Sequence, residues 1–318
     1  MGLIENPKTY TGRDLETIFF RPMLTGKNAE ELGIRVLYNM PMPTTIQLWS
    51  PADNILQEYE PGWNGGSMAT RKQKTIEMSR IKAELGFGAS DYFCQVYELI
   101  TNRADVNLDD LTGTELEQAE TEMFRAAIAE SLRVTMWIGN TSAEKYNMFD
   151  GFVTKILNYD AGTNVDLSDI YVDSEASMAI FQRMWEQAPP ILKSMKSDGN
   201  LVMLVTTDIY DAYEQYLDYH GSSAAYTDLS TGRRELSYHG IKLVDIGVSH
   251  LLPSGDIPET VCILTDRRNL VLAVNTADYP GSEVRMWYNP DDMQNRQRAI
   301  FLAGCEVLDE SLVTVGKF

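Results

Sequence analysis

The residues whose types could do chemistry lie mostly in one segment, where acids alternate with aromatic side chains. Asp208, Asp211 and Asp218 fall in a stretch of helical period, so some of their carboxylates share a face. Paired carboxylates can act as general acid and base, but on an amphipathic helix they are more often a solvated face. One hypothesis is therefore an intracellular acidic enzyme that uses these aspartates beside the tyrosines Tyr210, Tyr213, Tyr216 and Tyr219.

Other segments approach a known motif but depart from it at a position that the chemistry needs. Residues 105–109 begin like a calcium-binding loop, but Asp110 stands where that loop needs glycine and Leu116 where it needs a bidentate glutamate. Residues 247–251 resemble a nucleophile elbow until the fifth position, where leucine replaces glycine. Residues 86–88 lack the third glycine of a dinucleotide-binding loop. These segments therefore predict no cofactor site.

The histidines are the remaining candidates for metal ligands. His220, His239 and His250 do not have the spacing of a zinc site, and no cysteine is close enough in sequence to complete one. We therefore predict no catalytic, cofactor-binding or metal-binding residues. A chain long enough to bury a large core, yet without a predicted site, favours a role in assembly.

Charge and composition exclude two classes of function. The 318 residues carry a formal charge of −19 at pH 7, and an acidic surface repels the phosphates of nucleic acid. No window approaches the roughly 18 uninterrupted apolar residues of a membrane span. Cys94, Cys262 and Cys305 are far apart, which is typical of a reducing, intracellular environment. We therefore expect neither a membrane protein nor one that binds nucleic acid by sequence.

A long amphipathic helix is predicted near 113–138, and the other elements must be arranged around it. Phe124, Ile128 and Leu132 recur at intervals of four, which is the helical period. Gly139 offers the residue without a side chain that helix ends prefer. At 1.5 Å per residue such a helix is about 40 Å long, comparable with a small domain.

A long hairpin is predicted upstream of that helix. The predicted strands 44–49 and 75–83 enclose a polar excursion with a glycine-rich turn, and a basic cluster follows the turn. A two-stranded hairpin buries little apolar surface against its own core. We therefore expect a partner chain to contact it, at Trp63, Asn64, Gly65, Gly66, Arg71, Lys72 and Lys74. The alternative is a surface hairpin whose Trp63 folds back on its own chain.

The rest of the chain mixes helices with buried strands, which predicts an α+β fold with a helix-flanked sheet and a second unit built from both halves of the chain. Helices are predicted at 14–20, 91–100, 174–187 and 208–221, and strands at 201–206, 241–246, 260–264, 270–274, 284–288 and 299–307.

Residues 117–152 resemble the spine-helix region of tailed-phage major capsid proteins with the Hong Kong 97-type fold. In that family a long helix with an Ala-Ile-Ala-like run ends in a glycine-containing loop, and a second glycine opens the next segment. The corresponding residues are 127–129, Gly139-Asn140 and 150–152. A second resemblance lies at 238–240, Pro253 and 266–270. The chain looks most like the capsid proteins of phages and prophages of gut Bacteroidales.

This resemblance implies the Hong Kong 97-type major capsid fold and a structural subunit, not an enzyme. Such subunits self-assemble into hexamers and pentamers of an icosahedral shell around double-stranded DNA. They assemble in the bacterial host cytoplasm and end in the virion. The implied domains are an N-terminal arm (1–40), an extended loop (41–84), a peripheral domain (85–146 with 281–318) and an axial domain (147–280). The loop would lie over a neighbouring subunit, with the basic cluster against an acidic neighbour.

The implied partners are further copies of the chain, a portal and a scaffolding protein, with no cofactor and no membrane. The family often carries a long N-terminal scaffolding segment, and none of that length precedes the arm here, so we expect scaffolding from a separate protein. Three alternatives stay open: an encapsulin-like nanocompartment shell, a phage tail or connector ring protein, and the acidic enzyme.

Overall fold

The computed structural model describes residues 8–10, 32, 34–38, 44–50, 61, 70–88, 115–159, 162–220, 226–227, 234–254, 257–275, 283–289, 291–292 and 294–318. The helices in these ranges are α1 (Glu115–Ile138), α2 (Phe152–Asn158), α3 (Ser174–Gln187), α4 (Pro190–Ser194) and α5 (Thr207–Tyr219). The predicted turn at 63–66, the predicted helices at 14–20 and 91–100 and the calcium-like residues 105–110 lie outside the described residues.

The strands form two six-stranded sheets and two short ribbons. Their bounds are β1 (Lys8–Tyr10), β2 (Arg35–Tyr38), β3 (Thr44–Ser50), β4 (Thr70–Ile76), β5 (Ser79–Gly88), β6 (Thr163–Asp166), β7 (Leu201–Val205), β8 (Tyr226–Thr227), β9 (Arg234–Glu235), β10 (Ser237–Tyr238), β11 (Ile241–Asp245), β12 (Cys262–Asp266), β13 (Leu270–Asn275), β14 (Glu283–Asn289), β15 (Gln294–Val307) and β16 (Val313–Lys317).

The first sheet has the order β1-β14-β15-β13-β2, with β5 paired to β15. The 14-residue strand β15 is the central strand of this sheet, since β5, β14 and β13 all pair with it antiparallel. Helix α1 packs on this sheet through the predicted stripe of Phe124, Ile128 and Leu132, which is buried against Ala299 and Phe301. Burial of each such side chain contributes about 1.5–3 kcal/mol.

The second sheet has the order β10-β11-β7-β12-β16-β6 and is covered on both faces. In β7, Leu201, Met203 and Val205 point into a core shared with α3 and α5, while Val202 and Leu204 point into the core that α1 shares with both sheets. A strand buried on both faces reads as continuous apolar sequence, and β7 does so. The second sheet therefore joins the two cores.

The predicted elements within the described residues are confirmed in type, and several differ in their bounds: the strand predicted at 260–264 is Cys262–Asp266, and the strand predicted at 299–307 begins at Gln294. The predicted strand 75–83 is two strands, because β4 pairs with β3 while β5 pairs with β15 in another sheet. The helix predicted at 208–221, with Asp208 as its cap residue, begins at Thr207, and its cap residue is Thr206.

After β12 the chain crosses twice between the two sheets. The turn Arg267–Asn269 leads from β12 in the second sheet to β13 in the first. The last strand, β16, then returns to the second sheet between β12 and β6. The domain ranges expected from the resemblance stay a prediction, and the pairing places 270–275 beside β15 and 313–317 beside β12.

Candidate functional site

The predicted contact residues are described to different extents. Residues 63–66 lie outside the described residues, and Arg71 is described only as part of the backbone of β4. Lys72 and Lys74 are described with their side chains, and they share one face of β4 because side chains alternate along a strand. Contact of these residues with a neighbouring chain stays a prediction.

The face of β4 that carries Lys74 is turned toward the body of the same chain. Ile76, on that face, is fully buried in a small apolar cluster with Val271 of β13. Ile46 of β3, opposite Lys74 in the hairpin register, packs against the same cluster. The hairpin is therefore apolar where it meets the first sheet and basic further out.

Lys74 makes ion pairs with acids near the C-terminus of its own chain. Its Nζ donates a hydrogen bond to Glu310 Oε1 at 2.8 Å and lies 3.6 Å from Glu306 Oε1. The same ammonium lies 5.1 Å from the centre of the Tyr159 ring. Burial lowers the pKa of Lys74, but the hydrogen bond to Glu310 and the charge of Glu306 outweigh it, so the pKa is raised. Lys74 is therefore held as a cation.

Glu306 is the most enclosed acid of this group, with a side chain that is only 8% exposed. Lys155 Nζ donates to Glu306 Oε2 at 2.6 Å and to the Cys305 carbonyl at 2.8 Å. The Tyr159 hydroxyl donates to Glu306 Oε1 at 2.7 Å. Burial, and then this hydrogen bond to a carboxylate, raise the pKa of Tyr159, so its hydroxyl stays protonated. The backbone amide of Val307 also donates to Glu306 Oε1 at 3.2 Å, so Glu306 has three partners in addition to Lys74.

A second ion pair lies beside the first, and the side-chain amide of a buried asparagine positions its acidic partner. Lys72 Nζ lies 3.8 Å from Asp309 Oδ2. Asn269 donates through Nδ2 to the Asp309 carbonyl at 2.8 Å and accepts from the Asp309 amide at 2.7 Å. Asp309 Oδ1 in turn caps the following turn by accepting from Ser311 N at 3.0 Å. The turn that presents Glu310 is therefore fixed to the β12–β13 connection.

These side chains are called the Lys74 cluster below. Its members are Lys72, Lys74, Lys155, Tyr159, Glu306, Asp309 and Glu310. Sequence reasoning identified the two hairpin lysines but missed their partners, because Lys74 and Glu310 are 236 positions apart. The arrangement holds two parts of the chain together, and each charged group in it is paired, so it is suited to positioning rather than to catalysis.

The junction after α1 is built from the two glycines of the resemblance. The amide of Gly151 donates to the carbonyl of Gly139 at 2.8 Å. A Cβ on Gly151 would lie 2.6 Å from the carbonyl carbon of Trp137, and one on Gly139 would lie 2.3 Å from the carbonyl oxygen of Phe149. Gly151 has an ordinary φ of −74°, so close backbone approach explains the glycine rather than a left-handed conformation.

The second resemblance corresponds to a turn and to a sheet connection. Tyr238 pairs with Ile241, which places residues 239–240 in the turn between β10 and β11. The carboxylate of Asp266 is only 3% exposed and accepts from the backbone amide of Arg268 at 2.8 Å and from its guanidinium at 2.6 Å. Asp266 therefore shapes the crossing from the second sheet to the first.

The aspartates of the enzyme hypothesis lie on the solvated side of α5. Asp208, Asp211 and Asp218 are exposed, and Asp208 Oδ2 accepts a hydrogen bond from Thr260 Oγ1 at 2.6 Å. Tyr213, by contrast, is buried in the core under α5, and burial raises its pKa. The helix therefore packs Tyr213 inward and exposes its aspartates and Tyr219 to solvent, as an amphipathic surface helix does.

Ser249, in the segment that resembles a nucleophile elbow, and the buried cysteines have structural roles. Ser249 accepts through Oγ from the Thr207 amide at 2.9 Å, which satisfies a free donor at the start of α5. Burial raises the pKa of Cys262 and of Cys305 to about 12, so both remain thiols at neutral pH. In the ranges that the structure describes, no three His, Cys, Asp or Glu side chains are grouped to hold a metal ion.

An apolar groove of about 420 Å³ runs between α1 and β5. Phe124, Ile128 and Leu132 form one wall, and Ile81 and Leu85 form the other. Such a groove can bury apolar surface, and the two charged residues in its lining, Lys82 and Glu84, pair with each other at 2.9 Å. Among the helices that the structure describes, none is both long enough and apolar enough to cross a membrane.

Sequence comparison gives no relative for this chain. No known family pattern matches it. No curated protein matches it either.

Structure comparison finds similar folds over almost the whole length of the chain. The chain is similar to a chain of the satellite phage P4 procapsid that includes the size determination (Sid) protein, with a TM-score of 0.58, 10% identity, and coverage of 94% of this chain and 97% of that one. It is similar to the capsid of a native GTA particle, with a TM-score of 0.53, 12% identity and coverage of 93% and 91%. It is also similar to the holo-SrpI encapsulin complex of Synechococcus elongatus, with a TM-score of 0.50, 12% identity and coverage of 89% and 84%.

At these identities the likeness is one of fold. It extends over 94% and 93% of this chain, and not over a single motif. The expected fold class is therefore confirmed: the chain has the mixed helix-and-sheet fold of tailed-phage major capsid proteins.

Proposed function

We propose that this chain is the structural subunit of an icosahedral phage capsid, forming hexamers and pentamers that enclose double-stranded DNA. The observation that carries the proposal is the likeness to a procapsid chain over 94% of this chain and 97% of that one. A shared core motif would cover only a part of each chain. Agreement over nearly both whole chains favours a shell subunit over a protein that has borrowed one domain.

The proposed parts follow the sequence ranges. Residues 1–40 form the arm, 41–84 the extended loop, 85–146 with 281–318 the peripheral domain, and 147–280 the axial domain that meets other copies at the symmetry axes. Heterologous contacts between such copies close into rings. The turn at 63–66 and Arg71 are the proposed contacts with a neighbour, since Lys72 and Lys74 have partners in their own chain.

The proposed partners are further copies of the chain, a separate scaffolding protein, a portal and packaged DNA. A formal charge of −19 supports loose enclosure of DNA, because an acidic wall does not adhere to phosphate. The proposed location is the virion, after assembly in the cytoplasm of a bacterial host. The finer likeness to proteins of gut Bacteroidales phages stays a prediction from sequence.

Assembly state is the direct test. We expect the purified chain, alone or with the scaffolding protein from its own gene neighbourhood, to form rings of five and six subunits and closed shells. Negative-stain microscopy and analytical ultracentrifugation of the same sample measure this. A homogeneous monomer or dimer that persists with the scaffold contradicts the proposal, and a ring of one symmetry supports a tail or connector protein instead.

An encapsulin-like nanocompartment is the second candidate, because a holo-encapsulin complex shares the fold. Its TM-score is 0.50 against 0.58 for the procapsid chain, so the phage capsid is favoured. The content of particles purified from the native source distinguishes the two. Nuclease-protected double-stranded DNA supports the capsid, whereas a stoichiometric cargo protein without DNA supports the nanocompartment.

A further inference from the structure

We propose that the Lys74 cluster is an electrostatic latch that holds the hairpin β3–β4 against its own subunit. Sequence reasoning assigned Lys72 and Lys74 to contacts with a neighbour, but the described geometry gives both of them acids in the same chain. The latch sets the direction in which the hairpin projects before any second copy is met.

The first step is the two-part structure of the hairpin's attachment. Next to the first sheet, Ile76 and Ile46 pack in a small apolar cluster with Val271. Lys74, which lies opposite Ile46, and Lys72 further out on the same face of β4 make ion pairs with acids of the same chain. The apolar contact is non-directional, whereas charged hydrogen bonds have preferred geometry. The ion pairs therefore set the angle of the hairpin.

The second step is the difference between the two sides of the latch. If Lys74 leaves, Glu306 keeps Lys155 at 2.6 Å and the Tyr159 hydroxyl at 2.7 Å, so this enclosed carboxylate remains paired. Glu310 is 29% exposed and can be solvated by water. Without Lys74, the carboxylates of Glu306 and Glu310 therefore still have hydrogen-bond partners, and only the hairpin loses an attachment.

The third step is what happens to a released hairpin. Two antiparallel strands in water are marginally stable without a third strand or an apolar surface to pack on. Loss of the latch should therefore loosen the strand pairing of β3 with β4. The second sheet, which is covered on both faces, should keep its strand pairing. This consequence is confined to one element and can be measured in a single subunit, whether or not the chain forms shells.

The test is amide hydrogen exchange of the unassembled chain, followed by mass spectrometry. In Lys74→Met, which keeps the apolar stem, we expect exchange in 44–50 and 70–76 to rise roughly 5- to 30-fold, as for loss of one or two kcal/mol. Exchange in the buried strand β7 should not change. Lys82→Met is the matched control, because Lys82 is an exposed lysine on the next strand that pairs only locally with Glu84 at 2.9 Å.

A charge exchange provides the second arm. Lys74→Glu alone should loosen the hairpin further, and Lys74→Glu with Glu310→Lys should restore most of the protection. Unchanged exchange in Lys74→Met overturns the latch. An equal rise in β7 also overturns it, because Lys74 would then support the whole fold. Failure of the double variant to restore protection shows that the Lys74–Glu310 ion pair does not hold the hairpin, and this outcome equally contradicts the proposal.

Discussion

Gly139 and Gly151 illustrate how single residues limit what this fold accepts. Their backbones are joined by a 2.8 Å hydrogen bond at the end of α1, directly against the carbonyl of Trp137. Thr154 Oγ1 donates to the same Gly139 carbonyl at 2.7 Å, which also ties the start of α2 to this point. The sequence marks both glycines, but only the packing shows that both are needed for close approach.

Gly151→Ala should therefore destabilise the folded chain by about 1–3 kcal/mol, the usual range for overpacking a tight site. The new Cβ would lie 2.6 Å from backbone atoms of Trp137, which cannot rotate away as a side chain would. Urea unfolding followed by circular dichroism measures the change. Gly162→Ala is the control, since its Cβ would meet no atom closer than 3.5 Å and should leave the midpoint nearly unchanged. Equal midpoints for the two variants would contradict this account of the junction.

For Lys74, the sequence marks the residue but not its partners. The basic cluster indicated ion pairing with an acidic neighbour, which stays a prediction, whereas Lys72 and Lys74 pair with acids of their own chain. Glu306 and Glu310 reach Lys74 only because β15 and the turn after it run past the base of the hairpin. Partners this distant in sequence are set by sheet topology.

At the scale of elements, strongly periodic segments were predicted well. Helix α1 lies within the predicted range, and its stripe of Phe124, Ile128 and Leu132 is buried. The strand β7 was recognisable because burial on both faces produces an uninterrupted apolar run. The predicted strand 75–83 was wrong in one respect, since the change of sheet between Ile76 and Ser79 leaves no break in the β pattern.

The hairpin supports a prediction at this scale. Deletion of residues 60–68 should leave a folded chain that does not form shells, because it removes the proposed contact with a neighbour and keeps all the described core residues. Circular dichroism and the urea midpoint should match those of the unaltered chain, and microscopy should show no closed particles.

Replacement of 60–68 by a glycine–serine segment of equal length separates the length of the loop from its side chains. If the deletion variant still forms normal particles, the proposed role of the extended loop is wrong. If the replacement variant assembles and the deletion variant does not, reach rather than Trp63 determines the contact.

At the scale of the whole molecule, two cores share one doubly covered sheet, and the chain carries a large negative charge. The chain passes from the second sheet to the first after β12 and returns to the second sheet in β16, so each sheet contains strands from the same C-terminal segment.

The charge leads to a prediction for the whole chain. A net charge of −19 should prevent binding to free duplex DNA, so the purified subunit should not retard DNA in a gel at about 150 mM salt. A basic DNA-binding protein run in parallel serves as the positive control. Retardation that weakens steeply as salt rises would show phosphate neutralisation by a basic surface, and would contradict the proposed loose enclosure of DNA.

The sequence by itself determined the mixed fold class, the long helix and most strands, because periodicity and turn residues act over a few positions. It also indicated the glycines of the helix junction through resemblance. Only the tertiary structure decided that β4 and β5 enter different sheets, that β16 returns to the second sheet, and that Lys74 pairs with Glu310 across 236 positions. The physical reason is that long-range pairing depends on which surfaces the cores bring together, and no local pattern records that choice.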